Sequence, residues 1–175
     1  MPHFISTNTL GAHNLMTAAK NANVETIICA GSQLEYGQNN RPHAETDRLE
    51  PNTLHGITKA AAAMIFQETT RQTSISIAVL RLFHVYGPWE SPQRLIPTAI
   101  RAALHQSPLR MTKKGIQRDY IYVDDVVDAF LLAAQSPHLK GEIFNIASGA
   151  QTLNEDMIAT IEKNTGQSLN VEFNA

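Results

Sequence analysis

The stretch VETIICAGSQLEYG, residues 24–37, changes character in its middle. Its first part is a short, β-branched, apolar run that ends at Gly31-Ser32, the pattern of a strand buried in a parallel sheet. A polar loop carrying Gly37, Asn39, Asn40 and Pro42 follows it. Upstream, residues 7–22 place Leu10, Leu15, Met16 and Ala19 at helical spacing. Downstream, PNTLHGITKAAAAMIFQ (51–67) leads from a proline turn into a helix predicted over 53–71.

The same alternation continues outward. Strands are predicted at 74–82, 109–112, 119–123 and 142–147, and helices at 94–105, 124–135 and 153–165, the last closed by Gly166. Gly87-Pro88 and residues 113–115 break the pattern as turns. Helix and strand in alternation predict an α/β protein with a mostly parallel sheet. Ligands of such sheets gather at the carboxyl ends of the strands. That rule directs attention to AGSQLEYG and FHVYGPWE. The first puts Ser32, Glu35 and Tyr36 at a strand end, and the helix that follows brings His55 and Lys59, four residues apart on one face, toward the same edge. A hydroxyl, a proton-transfer group and a lysine there suit removal of a proton from a substrate hydroxyl. A serine cap, a packing tyrosine and a solvated lysine are the structural alternatives.

The chain has 175 residues, the size of one ordinary domain, with 14 basic and 16 acidic side chains. That near-balance points to neither nucleic acid nor a membrane surface. One cysteine, Cys29, lies in the apolar run and reads as a buried thiol; it fits a reducing, cytoplasmic setting. No apolar run reaches membrane-spanning length. The seven histidines show no HxxxH or HExxH spacing, so no metal site is expected, and Ser32 lacks a GxSxG elbow.

Five stretches carry a resemblance: NTLGAHNLMTAAKNANVETIICAGSQLEYG, PNTLHGITKAAA, VLRLFHVYGPWESPQRLIPTAI, GIQRDYIYVDDVVDAF and GEIFNIASG. In this order and spacing the chain resembles the NAD-dependent epimerase/dehydratase family, extended short-chain dehydrogenases/reductases acting on nucleotide sugars. The resemblance implies a partial Rossmann-like parallel sheet lacking its first strands, with a small substrate-binding subdomain. It implies the later half of a dinucleotide-binding domain over 1–92 and a mainly nucleotide-sugar-binding part over 93–175, with strand segments around 118–147 returning to the core. It also implies NAD or NADP as cofactor and a nucleoside-diphosphate sugar as substrate, to be epimerised, dehydrated or reduced.

By the same resemblance, Ser32 matches the residue that hydrogen-bonds the reacting hydroxyl. Lys59 matches the lysine of a Tyr-x-x-x-Lys pair, which binds the nicotinamide ribose and lowers the phenol's pKa. The tyrosine's place is taken by His55. Imidazole is a competent base, but the phenol oxygen reaches roughly 2 Å farther, and a misplacement of about 1 Å can cost ~100-fold. A bridging water or Tyr36 could close that gap. Phe83 and Val85 correspond to positions near the nicotinamide. His84 stands where the family often has an asparagine touching the sugar diphosphate, and Arg118 matches an arginine that contacts the diphosphate or ribose. Arg94 and Leu95 match the region lining the nucleotide. Arg118 could instead pair with Asp124 or Asp125, which read as caps of the following helix. Trp89 could stack on a base or seal its loop onto the sheet, and Asn145 reads as structural.

The family's Gly-rich turn has no counterpart here. The glycines at 11, 31, 37, 56, 87, 115, 141, 149 and 166 include no GxGxxG or GxxGxxG trio. The resemblance therefore places the first half of the dinucleotide fold, on the order of 80–100 residues, outside this sequence. A sheet without those strands exposes an edge, so a second copy or a chain supplying the missing strands is an expected partner. A non-catalytic nucleotide-sugar-binding or assembly module is the competing expectation.

Overall fold

Residues 77–81 are each no more than 1 % exposed, so the strand that carries them is covered on both faces. The computed structural model describes residues 2–38, 41–136 and 139–173. From the start of the chain the elements are α1 (Pro2–Phe4), a π-helical segment (Ile5–Leu10), α2 (Gly11–Asn21), β1 (Thr26–Ser32), a 3-10 turn (Gln33–Glu35), α3 (Leu54–Gln72) and β2 (Ser76–Leu82). Then come β3 (His84–Tyr86), α4 (Leu95–His105), β4 (Leu109–Met111), β5 (Gln117–Arg118) and β6 (Tyr120–Tyr122). The last are α5 (Val123–Gln135), β7 (Lys140–Ile146), β8 (Thr152–Leu153), α6 (Asn154–Thr165) and β9 (Val171–Phe173). The chain divides into two compact units, Met1–Phe83 with Asp124–Ile146, and His84–Val123 with Ala147–Ala175. No helix among the described residues is long and apolar enough to cross a membrane.

The first unit holds a parallel sheet in the order β1-β2-β7. Side chains alternate across β2, and each set meets its own layer. Ile77 and Val79 pack with Ala12, Met16 and Ala19 of α2 and with Ala62, Ala63 and Phe66 of α3. Ala78 and Leu80 pack on the other face with Ala129, Phe130 and Ala133 of α5. The small residues of α2 and α3 let both helices lie close to the sheet. Between β2 and β7, Ile77 pairs with Lys140 but Ala78 with Glu142. Gly141 is the extra residue of this bulge, at φ +76°, where a side chain would be strained. Thr53 starts α3 by accepting the Gly56 N–H on its hydroxyl at 3.0 Å. Among the described residues β1 pairs only with β2, so its other edge is open.

The second unit packs α4 and α6 around a core of Ile96, Ala99, Ala102, Ala103, Leu109, Met111, Ile158 and Ile161. Three strand pairs frame it: β3 with β6 and β4 with β9 run parallel, and β5 with β8 antiparallel. The Asp119 carboxylate, just before β6, accepts hydrogen bonds from the Ser148 N–H (2.8 Å), the Ser148 hydroxyl (2.7 Å) and the Gly149 N–H (2.9 Å). It thereby ties the loop before β8 to the end of β5.

The α/β alternation agrees with the reading of the sequence, and so do the principal helices and strands, with ends shifted by no more than two residues. The helix expected over 7–22 begins earlier, through α1 and the π-helical segment. Four short strands were not expected: β3, β5, β8 and β9. Each has two or three residues, too few for a period-2 pattern to show. Trp89 does not seal its loop, because its side chain stands in solvent.

The sheet of the first unit encloses a charge. Arg81 of β2 donates from Nε to the Glu35 carboxylate at 2.7 Å, with the side chains 2 % and 0 % exposed. Gly31 makes the space: a Cβ there would lie 2.8 Å from Glu35 Oε1, 2.9 Å from Val79 Cγ1 and 3.1 Å from Arg81 Cγ. Removing one partner strands a buried charge, so Arg81→Met is expected to destabilise the fold by about 3–5 kcal/mol in urea denaturation. A loss below about 1 kcal/mol would overturn the assignment of this pair as the anchor of the strand ends.

Candidate functional site

The carboxyl end of β1 gathers three of the candidate residues. Ser32 is the last residue of the strand, and its hydroxyl accepts the Leu34 N–H at 3.2 Å while Glu35 Oε1 accepts the Ser32 N–H at 2.8 Å. This reciprocal capping box starts the 3-10 turn. Ser32 is thus a cap, and its hydroxyl hydrogen remains available to a bound oxygen. Lys59, on the second turn of α3, donates from Nζ to the Ala30 carbonyl at 2.9 Å, two residues before Ser32. His55 lies one turn earlier on the same helix face. Its ring stacks on Phe4 at 5.4 Å between centroids, inclined by 20°. Burial, and then the Lys59 ammonium, hold its pKa below the usual range, which leaves a neutral imidazole able to accept a proton at neutral pH. Cys29 is buried beneath this edge, and burial pushes its thiol up to about 12 against the opposing pull of Lys59. It is an inert core thiol, as its apolar run predicts.

Tyr36 is placed inside the packing, 3 % exposed. Its hydroxyl donates to Asn145 Oδ1 at 2.7 Å and accepts from Arg81 Nη1 at 2.8 Å. The Arg81 guanidinium carbon lies 4.5 Å from the Tyr36 ring centroid, and the His43 ring stacks on Tyr36 at 4.5 Å. Burial raises the phenol's pKa, with the Arg81 contact opposing. Asn145, at the end of β7, also donates to the His43 carbonyl (3.1 Å), and its N–H donates to Glu45 (2.8 Å). Arg81, Glu35, Tyr36 and Asn145 therefore lock the ends of β1, β2 and β7 and the loop at 43–45 into one polar brace. Arg81 received no role from the sequence, although an arginine inside the apolar run VLRLF was a visible signal.

In the second unit a cavity of about 180 Å³ is lined by His84, Val85, Glu90, Arg94, Leu95, Ile96, Arg118, Tyr120 and Asn154. Four residues expected at the nucleotide, His84, Arg94, Leu95 and Arg118, share this cavity. Val85, expected near the nicotinamide, lines it too. Phe83 belongs to the first unit, where its N–H donates to the Ile146 carbonyl at 3.1 Å. Arg118 donates to its neighbour's carbonyl, Gln117 O, at 3.0 Å, while Asp124 and Asp125 lie in the first turn of α5. Arg94 pairs with Glu90 at 3.3 Å and is largely exposed. Burial, followed by Arg118 and Arg94, holds the His84 imidazole down at about 4, with Asp119 pulling the other way. His84 is neutral at pH 7. The Tyr120 hydroxyl donates to Asn154 Oδ1 at 2.8 Å, and burial raises its pKa. Glu90, Tyr120 and Asn154 had no role in the sequence reading, since only the fold brings residues 90, 120 and 154 together. Two guanidiniums beside a neutral imidazole make a cavity suited to an anion with several oxygens.

The solved structures similar to this chain include MoeE5 in complex with UDP-glucose and NAD. It has a TM-score of 0.92 and 29 % identity, over 99 % of this chain and 59 % of the other. UDP-glucuronic acid 4-epimerase from Bacillus cereus, in complex with UDP-glucuronic acid and NAD, gives 0.90 and 26 %, over 97 % and 55 %. Among curated proteins, the uncharacterised UDP-glucose epimerase YtcB of Bacillus subtilis is 28 % identical over 95 % of this chain and 53 % of its own length. Human dTDP-D-glucose 4,6-dehydratase is 29 % identical over 94 % and 49 %. The chain thus spans about half the length of the curated relatives it matches. The family model for the NAD dependent epimerase/dehydratase family matches residues 2–147. The parallel sheet, the strand-end residues and this match together place the chain in the NAD-dependent epimerase/dehydratase family.

Proposed function

We propose that this chain provides the proton-transfer groups and the nucleotide-sugar cavity of an NAD(P)-dependent enzyme that epimerises, dehydrates or reduces the sugar of a nucleoside-diphosphate sugar. The observation that carries the reading is Lys59 held at the carboxyl end of β1, beside Ser32 and one helical turn from a neutral His55. The NAD and UDP-sugar complexes among the structural neighbours support it.

In this reading Ser32 donates its hydroxyl hydrogen to the reacting sugar oxygen and fixes its position. His55 takes the proton from that oxygen as the carbinol is oxidised, and burial, with the Lys59 ammonium, keeps the imidazole deprotonated beforehand. NAD or NADP supplies the hydride acceptor when bound. The donor at Lys59 suits the hydroxyls of its ribose, and Phe83 and Val85 are the apolar residues proposed for its nicotinamide side. Arg118 and Arg94 hold the diphosphate, with His84 as a neutral hydrogen-bonding partner and Leu95 against the nucleotide. A second reading, a nucleotide-sugar-binding or assembly module without turnover, is favoured by His55 itself, whose shorter side chain is engaged in the stack on Phe4.

Melting of the purified chain with NAD, NADP and UDP-, GDP-, CDP- and dTDP-sugars tests the reading directly. A ligand at about 100 times its Kd should add roughly 2.7 kcal/mol, a rise of several degrees. Arg118→Ala should weaken the sugar-nucleotide response by about 10-fold or more. No rise with any sugar nucleotide would refute both readings.

Turnover separates them. With UDP-glucose and NAD, His55→Ala should lower kcat by about 10²–10⁴-fold with little change in KM. An unchanged rate would remove His55 from the role of base, and binding without turnover would leave the module reading.

His84 sets a pH dependence. Its folded pKa, about 4, lies below the ordinary 6.5, so the unfolded chain takes up the proton first as pH falls. The stability held above about pH 6.5 should be lost progressively toward pH 4, and His84→Gln should flatten that part of the curve. An identical slope in the variant would show that other groups cause it.

A further inference from the structure

Trp89 is the most exposed large apolar side chain among the described residues, at 102 % of its reference area. It also has a backbone that a bulky residue seldom adopts, φ +69°. The Glu90 N–H donates to the Gly87 carbonyl at 3.2 Å, closing a four-residue turn, Gly87-Pro88-Trp89-Glu90. Proline at the second position, with positive φ at the third, is the signature of a type II turn, whose third residue is normally glycine. The sequence has put its single tryptophan there instead. Neither packing nor backbone preference explains that choice, since the side chain covers nothing and the conformation opposes it.

The turn is held firmly at both ends. A Cβ on Gly87 would lie 2.6 Å from Val123 Cγ1, so the chain is pressed against the start of α5. Downstream, Thr98 and Arg101 both donate to the Pro92 carbonyl. Glu90, the residue after Trp89, lines the cavity that carries Arg94, Arg118 and His84. Within residues 84–98 no other large apolar side chain is exposed, and Tyr122, whose ring lies against Gly87, is 36 % exposed; a protein-docking patch has a larger apolar centre than these two. A rigidly mounted indole, one residue from a side chain that lines a cavity carrying two guanidiniums, suits a ligand with one planar ring and a diphosphate.

We propose that Trp89 is a stacking platform for the nucleobase of the nucleoside-diphosphate sugar whose phosphates Arg94 and Arg118 hold. The inference rests on the nucleotide-sugar reading above and adds an affinity-giving residue to it. Stacking accepts any base, so Trp89 supplies affinity for the nucleoside end without choosing among bases.

Trp89 is the only tryptophan, so its emission reports on this position alone. Emission and melting temperature are followed together while the chain is titrated with UDP-glucose, dTDP-glucose, GDP-mannose, UDP and glucose 1-phosphate. The expected result is quenching by the nucleotides that raise the melting temperature, including UDP, and none by glucose 1-phosphate. Trp89→Ala should weaken UDP-glucose binding by roughly 10- to 100-fold, and Trp89→Phe should keep most of it. Trp89→Gly, which relieves the turn, should melt at or above the wild-type temperature yet lose the same affinity. A rise in melting temperature with unchanged emission would overturn the role of Trp89 and leave the nucleotide-sugar reading standing. Equal quenching by glucose 1-phosphate would overturn the assignment to the base. No thermal response to any nucleotide would overturn both.

Discussion

The buried ion pair between Glu35 and Arg81 is the constraint on which the first unit's site depends. One carboxylate oxygen holds the Arg81 guanidinium and the other holds the Ser32 N–H, so charge satisfaction and placement of the strand-end hydroxyl are the same event. Through Nη1 the guanidinium reaches Tyr36, and through Tyr36 it reaches Asn145. Three adjacent strand ends are joined by side chains just where backbone pairing stops. A pair this deep is weak evidence for net stability, because desolvation offsets most of the attraction. Its value lies in geometry: a carboxylate and a guanidinium that cannot be left unpaired permit one arrangement of the turn after β1.

That arrangement separates residues that look alike in the sequence. Ser32 and Tyr36 stand four residues apart in one motif, yet Ser32 keeps a hydroxyl hydrogen to offer and Tyr36 has both its hydrogen-bonding roles taken inside the protein. Tyr36 therefore cannot swing in to supplement His55 without dismantling the brace. His55 is the proton acceptor proposed for that edge, with a pKa lowered by burial and by the lysine one turn away. The same electrostatic logic appears at His84, where burial and two arginines keep the imidazole neutral. In both units a histidine is discharged by its surroundings.

The second unit concentrates its polar chemistry on short elements mounted on a conventional apolar core. β3 and β6 have three residues each, and yet they carry His84, Val85 and Tyr120 into one cavity that Arg118 of β5 also lines. The Asp119 carboxylate, bonded three times to the loop at 148–149, fixes the segment between Arg118 and Tyr120. A strained turn precedes the same cavity at Trp89. Strain and exposure at one residue, beside a well-packed core, are the combination expected of binding rather than of folding.

The sequence alone determined the α/β class, the order of the main helices and strands, and the family, because each rests on local periodicity or on ordered motifs. It also placed Ser32, His55 and Lys59 at one strand end, since strand polarity and the four-residue helical repeat are both local rules. Only the tertiary structure decided that Tyr36 is walled in and that Glu90, Tyr120 and Asn154 join His84. Those outcomes depend on contacts between residues 30 to more than 100 positions apart, such as Tyr120 with Asn154 and Tyr36 with Asn145. β3, β5, β8 and β9 were illegible for the opposite reason: they hold no longer apolar run of the kind that marked β4 and β6, and only a partner strand makes them strands. Trp89 shows both limits at once. Its turn was legible in Gly87-Pro88, but the direction of its side chain is a property of the folded loop.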